Sequence, residues 1–333
     1  MRIAINGFGR IGRAAFKIAQ DMKGATIVAI NDLTDPNTLA HLLRYDTSYG
    51  VYDKTVAVKS GKLIVGKNET LVLSEKDPTL LPWKKLNIDV VLECTGRFTD
   101  EAGALLHITA GAKRVIISAP AKGEGVPTLV LGVNANKLNK SMKVISNASC
   151  TTNCISPVAE VIHRTIGVKK ATMTTIHSYT QDQALQDGPH KDLRRARAAA
   201  ENIVPTTTGA AIATTETIPD LKGKFDGLSI RVPTPIVSLS DLTFVLKRAT
   251  TAEEVNGYLE AASKEKRYKG ILAVTREPLV SSDFIGNTNS AIVDLSLTNV
   301  IDGDLLKVIA WYDNEWGYSY RLVQMALEVG KTI

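Results

Sequence analysis

Residues 2–12 read Arg2-Ile3-Ala4-Ile5-Asn6-Gly7-Phe8-Gly9-Arg10-Ile11-Gly12. Arg2–Ile5 is a short apolar run of strand character, and it leads directly into G-x-G-x-x-G. Beyond the glycines, Ile11, Ala15, Ile18 and Ala19 recur at helical spacing. Ala25–Ile30 reads as a second strand that ends in Asn31-Asp32, 20 residues past Gly12. Strand, glycine turn, helix, strand and terminal acid form a βαβ unit suited to a dinucleotide. Gly7 permits the tight turn. Gly9 lets a pyrophosphate approach the backbone at the helix N-terminus. Gly12 lets helix and strand pack closely. Asp32 can accept hydrogen bonds from ribose hydroxyls and repels a 2′-phosphate, which favours NAD over NADP.

The pattern continues through the first half of the chain. Pro36–Arg44 reads as a short helix, and Lys54–Glu75 as small antiparallel strands broken by Ser60-Gly61 and Gly66-Lys67-Asn68. Ile88–Cys94, Arg114–Ser118, Thr128–Gly132 and Lys143–Ser146 read as strands, with a helix over Asp100–Gly111. Strands alternating with helices predict a doubly wound parallel sheet, whose ligands sit beyond the carboxyl ends of the strands. That places Thr95-Gly96-Arg97 and Ser118 on the cofactor side. Cys94 and His107 read as packing residues.

After residue 150 the character changes. Ala171–His177 alternates as a strand. Ser178–Gly209 shows little apolar periodicity, and long structureless loops in compact domains are usually functional. Within it, propensity predicts a helix over Leu193–Glu201. Ala210–Ile218 reads as helix, and Gly227–Val232 and Ile236–Lys247 as strands. A helix starts at Thr250/Thr251 and runs to Lys264. Ser290–Val300 and Leu305–Asp313 read as strands joined by a turn at Ile301-Asp302-Gly303-Asp304. Tyr318–Val329 closes as an amphipathic helix. The second domain is therefore α+β with a mostly antiparallel sheet.

Composition sets outer bounds. The chain has 333 residues, 44% hydrophobic and 22% charged, in the range of a globular protein. No apolar run reaches the length of a membrane span. The N-terminus shows no charged region followed by a long apolar core, so no secretory leader is expected. Three cysteines, Cys94, Cys150 and Cys154, suit a reducing cytoplasm and lack the partners of a metal site, so no metal is expected. The net charge of +6 suits an anionic small molecule and, alone, decides nothing.

Cys150 stands in Ser146-Asn147-Ala148-Ser149-Cys150-Thr151-Thr152-Asn153-Cys154, where a strand gives way to a helix. A thiol at a helix N-terminus has its pKa lowered. Two helix starts fit the sequence: one at Cys150, and one capped by Ser156 with Pro157 in the first turn. A thiol next to a nicotinamide site points to one reaction type. The thiolate adds to an aldehyde, hydride leaves to NAD, and a thioester results. The step needs a base near neutral pH. His41, His107 and His163 sit in helical patterns. His177 ends a strand and begins the long loop, and His190 lies beside a basic cluster, so His177 is the better candidate. Arg195 and Arg231, with Ser149, Thr151, Thr180, Thr208 and Gly209, can supply anion donors.

At these residues the chain resembles the phosphorylating glyceraldehyde-3-phosphate dehydrogenase family over essentially its whole length. The carriers are Ile5 through Gly12, Ser146 through Cys154, Thr175 through Thr180, Asp192 through Arg197, Thr206 through Ala211, Arg231 through Pro235 and Trp311 through Glu315. The resemblance implies a Rossmann-type NAD domain of residues 1–149 and 315–333, and a catalytic domain of residues 150–314. It implies Cys150 as nucleophile and His177 as its base. It places Thr180, Asp182 and Arg231 at the substrate's own phosphate, together with the cofactor ribose, and Ser149, Thr151, Arg195, Thr208 and Gly209 at the attacking phosphate. Asn314 would hold the nicotinamide carboxamide, with Tyr318 near the ring. The substrates would be glyceraldehyde 3-phosphate and inorganic phosphate, in glycolysis or its reversal. A cytoplasmic homotetramer is implied, with the Ser178–Val204 loop reaching a neighbouring subunit. Neither a membrane nor nucleic acid is expected as the main partner.

The chain departs from the family pattern in three places. Tyr49 follows Asp46-Thr47-Ser48 where the family usually shows Asp-Ser-Val-His. Trp316 stands where Phe or Thr is common. Asp187-Gly188-Pro189 replaces a pattern ending in Leu-Pro, which removes bulk near the ribose and leaves room for some NADP use. Two other readings stay open on sequence. One is erythrose-4-phosphate dehydrogenase, which hydrolyses its thioester. The other is a catalytically silent NAD- or RNA-binding protein.

Overall fold

A computed structural model describes residues 1–333. The chain forms two compact units. The first comprises Met1–Leu129, Asn136–Ala148 and Ser319–Ile333, and the second Val130–Ala135 with Ser149–Tyr318.

The first unit opens with β1 (Arg2–Asn6), α1 (Arg10–Asp21) and β2 (Thr26–Asn31). Ile3, Ala4 and Ile5 are fully buried, as expected of a central parallel strand. After α2 (Pro36–Arg44), which Asp35 caps, a two-strand hairpin of β3 (Tyr45–Asp46) and β4 (Gly50–Val51) follows. Then come β5 (Val56–Lys59), β6 (Lys62–Val65), β7 (Asn68–Leu73), β8 (Val90–Glu93), α3 (Glu101–Thr109), β9 (Arg114–Ile117) and β10 (Val144–Ser146). The sheet order is β10-β9-β8-β1-β2-β7-β6-β5. It is parallel except for the β5–β6–β7 insertion. Strand order reverses between β1 and β8, so the ligand crevice of such a sheet opens beyond Asn6 and Glu93. Thr128–Gly132 is not the strand the sequence suggests. Thr128 makes one parallel bridge to Ser146 at the sheet edge, and the chain turns away at Val130.

The second unit begins with α4 (Cys150–Thr165) and β11 (Val168–Ser178). It continues through β12 (Val204–Thr207), α5 (Ala210–Thr217), β13 (Phe225–Val232), β14 (Ser238–Leu246), α6 (Ala252–Lys264), β15 (Leu272–Thr275), β16 (Ala291–Asp294), β17 (Asn299–Ile301) and β18 (Leu305–Tyr312). The last helix of the chain, α7 (Trp316–Gly330), belongs to the first unit from Ser319 on. The sheet order is β12-β13-β11-β14-β18-β16-β15, with β17 on β18. Only β11–β13 and β15–β16 pair in parallel. The core between this sheet and its helices includes Val158, Ile162, Met173, Leu242, Phe244, Leu259 and Val308.

Two expectations fail here. Leu193–Glu201 is a run of turns, because its backbone bonds outward: Ala198 N donates to Asp187 and Ala199 N to Ala184 O, while Arg195 O and Ala196 O accept from Ala184 and Gly188. Ser290–Val300 is two strands, not one. Asp294 caps a 3₁₀ turn at Leu295–Leu297 that bends the chain out of the sheet and back onto β18. The turn after β17 is the expected hairpin, with Asp302 at φ 48° and Gly303 at φ 74°.

Candidate active site

Helix α4 begins at Cys150, not at Ser156. The Ser149 hydroxyl oxygen caps it, accepting from Thr152 N at 3.0 Å. Pro157 lies inside the helix, where it withholds one backbone N–H from the ladder, and every residue from Thr151 to Ala159 is buried. Immediately before the cap, Ala148 holds φ 55°, a left-handed conformation unusual for a residue with a Cβ.

β11 carries His177 to this helix start. His177 Nε2 lies 3.5 Å from Cys150 Sγ. Its Nδ1 lies 2.6 Å from the Ser178 carbonyl oxygen. A carbonyl only accepts, so Nδ1 carries the proton and Nε2 presents its lone pair to the thiol. Ser178 is itself anchored. Its Oγ donates to Val237 O at 2.6 Å, and its N–H donates to Ser238 Oγ at 3.1 Å. Val237 sits at φ 68°, a strained conformation for a β-branched residue that this packed site maintains. Ser238 Oγ in turn donates to Asn314 Oδ1 at 3.0 Å, which fixes which end of that amide is free to donate.

Beneath the pair lies Tyr312, at the end of β18. Its hydroxyl is 2.8 Å from both Thr151 Oγ1 and Thr175 Oγ1. Its ring meets His177 edge to face, with centroids 6.1 Å apart. The Thr151 hydroxyl is therefore turned toward Tyr312.

The parallel pairing of β11 with β13 sets Arg231 opposite His177. Arg231 Nη1 donates to Thr180 Oγ1 at 2.8 Å, and its buried Nε has no protein partner. Thr180 donates to Asp182, and Asp182 also takes Arg195 Nη1 at 2.5 Å. Arg195 Nε is bound by Thr206 Oγ1 at 2.9 Å. The two arginines thus share one bridge of Thr180 and Asp182. The Thr208 oxygen accepts from Ala210 N at 3.2 Å, and Gly209 opens α5 without a side-chain cap. A buried guanidinium with an unmet donor, a second arginine and an uncapped helix start make this cluster a place for phosphoryl oxygens.

Burial dominates the ionisation of the central pair. It pushes the Cys150 thiol up, against the opposing pull of Arg231, the Thr151 hydroxyl and the helix amides. The helix start alone predicts a lowered thiol pKa, and desolvation outweighs it here. His177 is lowered to about 3 by burial, with Arg231 adding to the effect and the Ser178 carbonyl opposing it. The resting pair is a neutral thiol donating to a neutral imidazole. Burial also works against the Asp182 carboxylate, yet Thr180, Arg231 and Arg195 hold it below the usual range.

In the first unit the dinucleotide candidates gather at the carboxyl ends of β1, β2, β8 and β9. A Cβ on Gly7, at φ 93°, would lie 2.7 Å from the Cys94 carbonyl carbon, and one on Gly12 would lie 2.2 Å from Gly7 O. A Cβ on Gly9 would meet nothing within 4 Å, so the space before it is open. No side chain caps α1. The Asp32 carboxylate takes Phe8 N at 2.7 Å and Thr34 N at 2.9 Å, one on each oxygen, and keeps lone pairs for a ribose. Open turn, uncapped helix and terminal acid fit a dinucleotide. Not every motif side chain faces that way. Phe8 packs on Phe16 in the core, and Arg10 turns to Asp46 at 2.6 Å. Ile11 is half-buried, Arg97 is exposed, and the Ser118 N–H donates to Glu93 O at 3.0 Å. Tyr318, the last residue of the second unit, is buried.

Residues 149–314 match the family model "Glyceraldehyde 3-phosphate dehydrogenase, C-terminal domain", and residues 1–101 match "Glyceraldehyde 3-phosphate dehydrogenase, NAD binding domain". The glyceraldehyde-3-phosphate dehydrogenase of Geobacillus stearothermophilus is 54% identical over 327 residues, 98% of this chain and 97% of that protein. That of Borreliella burgdorferi is 52% identical over 337 residues, covering 99% and 100%. Glyceraldehyde-3-phosphate dehydrogenase 1 of Bacillus subtilis is 52% identical over 332 residues, covering 99% and 98%. The chain belongs to the glyceraldehyde-3-phosphate dehydrogenase family. NAD is its cofactor, and the open turn at Gly9 and the acid at Asp32 are the features of the first unit that suit it.

Within the family, this chain's departures have visible consequences. Tyr49 lies beside Arg10, whose guanidinium carbon is 5.7 Å from the ring centroid. Asp187 binds Arg197 Nε at 2.8 Å and Ala198 N at 3.0 Å, while the Gly188 N–H donates to Ala196 O at 2.9 Å. Nothing in the sequence assigns a role to Tyr312, Ser178, Thr175 or Ser238. Trp311-Tyr312-Asp313-Asn314 was recognisable as a motif, but nothing in it signals that the Tyr312 hydroxyl ends under Cys150.

Proposed function

We propose that this chain catalyses the oxidative phosphorylation of glyceraldehyde 3-phosphate to 1,3-bisphosphoglycerate with NAD and inorganic phosphate. The observation that carries the reading is the Cys150–His177 pair, with its tautomer set by Ser178, beside an arginine whose buried Nε is unmet. Cys150 Sγ attacks the aldehyde carbon, and the thiol proton passes to the new oxygen by way of His177 Nε2. Nε2 then takes the hydroxyl proton of the hemithioacetal as its C–H bond breaks. NAD, when bound, supplies the acceptor for the departing hydride. The thioester that remains is attacked by a phosphate oxygen. The C–S bond breaks, the acyl phosphate leaves, and imidazolium returns its proton to the Cys150 thiolate.

Arg231 and Thr180, with Asp182, suit the substrate's own phosphate. Arg195, Thr208, Gly209 and the Ser149–Thr151 helix start suit the attacking one. Asn314, oriented by Ser238, suits the carboxamide of the cofactor. We take residues 1–149 with 315–333 as the NAD domain and 150–314 as the catalytic domain. The reading includes a homotetramer, and Leu185 and Leu193, 80% and 81% exposed on the loop after β11, suit a contact with another copy of the chain. A cytoplasmic setting suits a nucleophilic thiol and two further free cysteines. No helix is long and apolar enough to cross a membrane.

Initial rates of NADH formation with and without inorganic phosphate test the reading. Strong phosphate dependence, abolished in Cys150→Ser while NAD binding persists, is expected. Equal rates without phosphate would point to thioester hydrolysis instead.

A further inference from the structure

Glu93 ends β8 at the point where strand order reverses, and its carboxyl group is fully enclosed. Sheet register lines up Asn31, Asn6 and Glu93 at the ends of three adjacent parallel strands. Their side chains form a directed ladder. The Glu75 N–H donates to Asn31 Oδ1 at 2.8 Å, Asn31 Nδ2 to Asn6 Oδ1 at 2.7 Å, and Asn6 Nδ2 to Glu93 Oε2 at 2.6 Å. Asn31 Nδ2 also returns a bond to Glu75 O at 2.9 Å; from Asn31 onward each side-chain amide donates toward Glu93, so the last member must accept without donating, which a carboxylate does.

Three further donors converge on it. His107 Nε2 lies 3.0 Å from Oε2. The Thr95 N–H donates to Oε1 at 2.8 Å, and the Thr95 hydroxyl donates to the same oxygen. The tautomer of His107 is fixed from its other side. Trp83 Nε1 can only donate, and it points at His107 Nδ1 at 3.0 Å, so the proton of the neutral ring sits on Nε2 and faces Glu93. Trp83 and His107 are both inaccessible to solvent.

Two residues of this network also hold the cofactor-facing turns through their backbone carbonyls. Asn31 O accepts the Gly7 N–H at 2.8 Å, and Asn6 O accepts the Cys94 N–H at 2.7 Å, which sets the glycine turn against the turn at Thr95-Gly96. A Cβ on Gly7 would strike Cys94 and Thr95 backbone atoms at 2.7 Å, so the two turns are in contact.

We propose that Glu93 is a positioning residue for dinucleotide binding: an acceptor-only hub, oriented by the His107–Trp83 pair, that fixes both turns on which NAD rests. It touches no cofactor atom itself and acts through Asn6 and Thr95. The inference rests on the assignment of NAD to this unit.

Glu93→Gln keeps the shape and puts an amide NH₂ against donors that Trp83 and Asn31 prevent from reorienting. The test is the dissociation constant of NAD by titration calorimetry at 20 °C, for wild type, Glu93→Gln and Trp83→Phe. An unsatisfied buried donor pair corresponds to about a tenfold or greater rise in Kd for Glu93→Gln, and the tautomer-releasing Trp83→Phe should give a smaller rise. KM for NAD should rise with kcat at saturating NAD near wild type. Alkylation of Cys150 by iodoacetamide without NAD should be unchanged. If Glu93→Gln does not fold, Trp83→Phe decides, and a wild-type Kd in that variant overturns the proposal. A folded Glu93→Gln protein with lowered melting temperature but wild-type Kd overturns it equally, since the carboxylate would then be structural only. Failure of the wild type to bind NAD would instead refute the underlying assignment.

Discussion

Acid should destabilise this protein through His177, by an amount the structure sets. The side chain is 5% exposed, and burial together with Arg231 lowers its proton affinity to a pKa of about 3. In an unfolded chain a histidine titrates near 6.5. Well above pH 6.5 neither state holds the proton, and the neutral buried ring costs nothing. Below it the unfolded chain binds a proton that the folded chain refuses, so stability falls until the pH reaches about 3. The slope approaches 1.4 kcal/mol per pH unit, which gives a loss of about 1.4 kcal/mol at pH 5.5 and about 2.7 kcal/mol at pH 4.5 relative to pH 8. Other groups titrate in the same window, so the measurement is a difference. Urea unfolding of wild type and His177→Asn at pH 8, 5.5 and 4.5, at one protein concentration, isolates the contribution of this ring. The variant is expected to be less stable at pH 8, because the Ser178 carbonyl loses its 2.6 Å donor. Its deficit should shrink by the amounts above as the pH falls. Two parallel stability curves would show that the folded ring does take a proton, and the neutral thiol–imidazole pair would have to be abandoned.

Three other outcomes follow from the geometry. Tyr312→Phe removes a hydroxyl held at 2.8 Å by both Thr151 and Thr175; it should cost about 1–3 kcal/mol in chemical denaturation, and steady-state kinetics should show a larger fall in kcat than change in KM. Gly12→Ala places a Cβ 2.2 Å from the Gly7 carbonyl oxygen, which is backbone and cannot step aside; about 1–3 kcal/mol of stability should be lost, with weaker NAD binding by calorimetry. Ser149→Ala removes the cap on α4 and should lower stability by about 1 kcal/mol, and Cys150 alkylation should shift its pH dependence as the helix start loosens.

Much of this was legible in the chain. The glycine turn reads directly because each glycine answers a local requirement: a left-handed φ at Gly7 and a backbone contact at Gly12. His177 reads from its position at the end of an alternating run. Local pattern fails where side chains compete with backbone. Leu193–Glu201 has helical propensity, but Asp187 takes the Ala198 N–H at 3.0 Å and Ala184 O takes the Ala199 N–H at 3.0 Å, and those bonds hold the segment in turns. Burial misleads in a second way. A thiol at a helix start promises a low pKa, yet the enclosure that makes the site selective raises it.

What no local reading supplies is register. Arg231 reaches His177 because β13 pairs with β11 in parallel, Ile230 opposite Ile176 and Arg231 opposite His177. Tyr312 reaches Thr175 through two antiparallel pairings, β11 with β14 and β14 with β18. The residues that hold those pairings lie elsewhere: Leu242, Phe244, Leu306 and Val308 are fully buried on the face that packs against the helices. A slip of one residue would turn each of those side chains to the other face of the sheet, and the lost burial would amount to several kcal/mol. The precision of the Cys150–His177–Arg231 arrangement is therefore enforced by apolar side chains that never approach the substrate. In the first unit the same logic holds with polar groups, since Asn31, Asn6 and Glu93 can form their ladder only in one register of β2, β1 and β8.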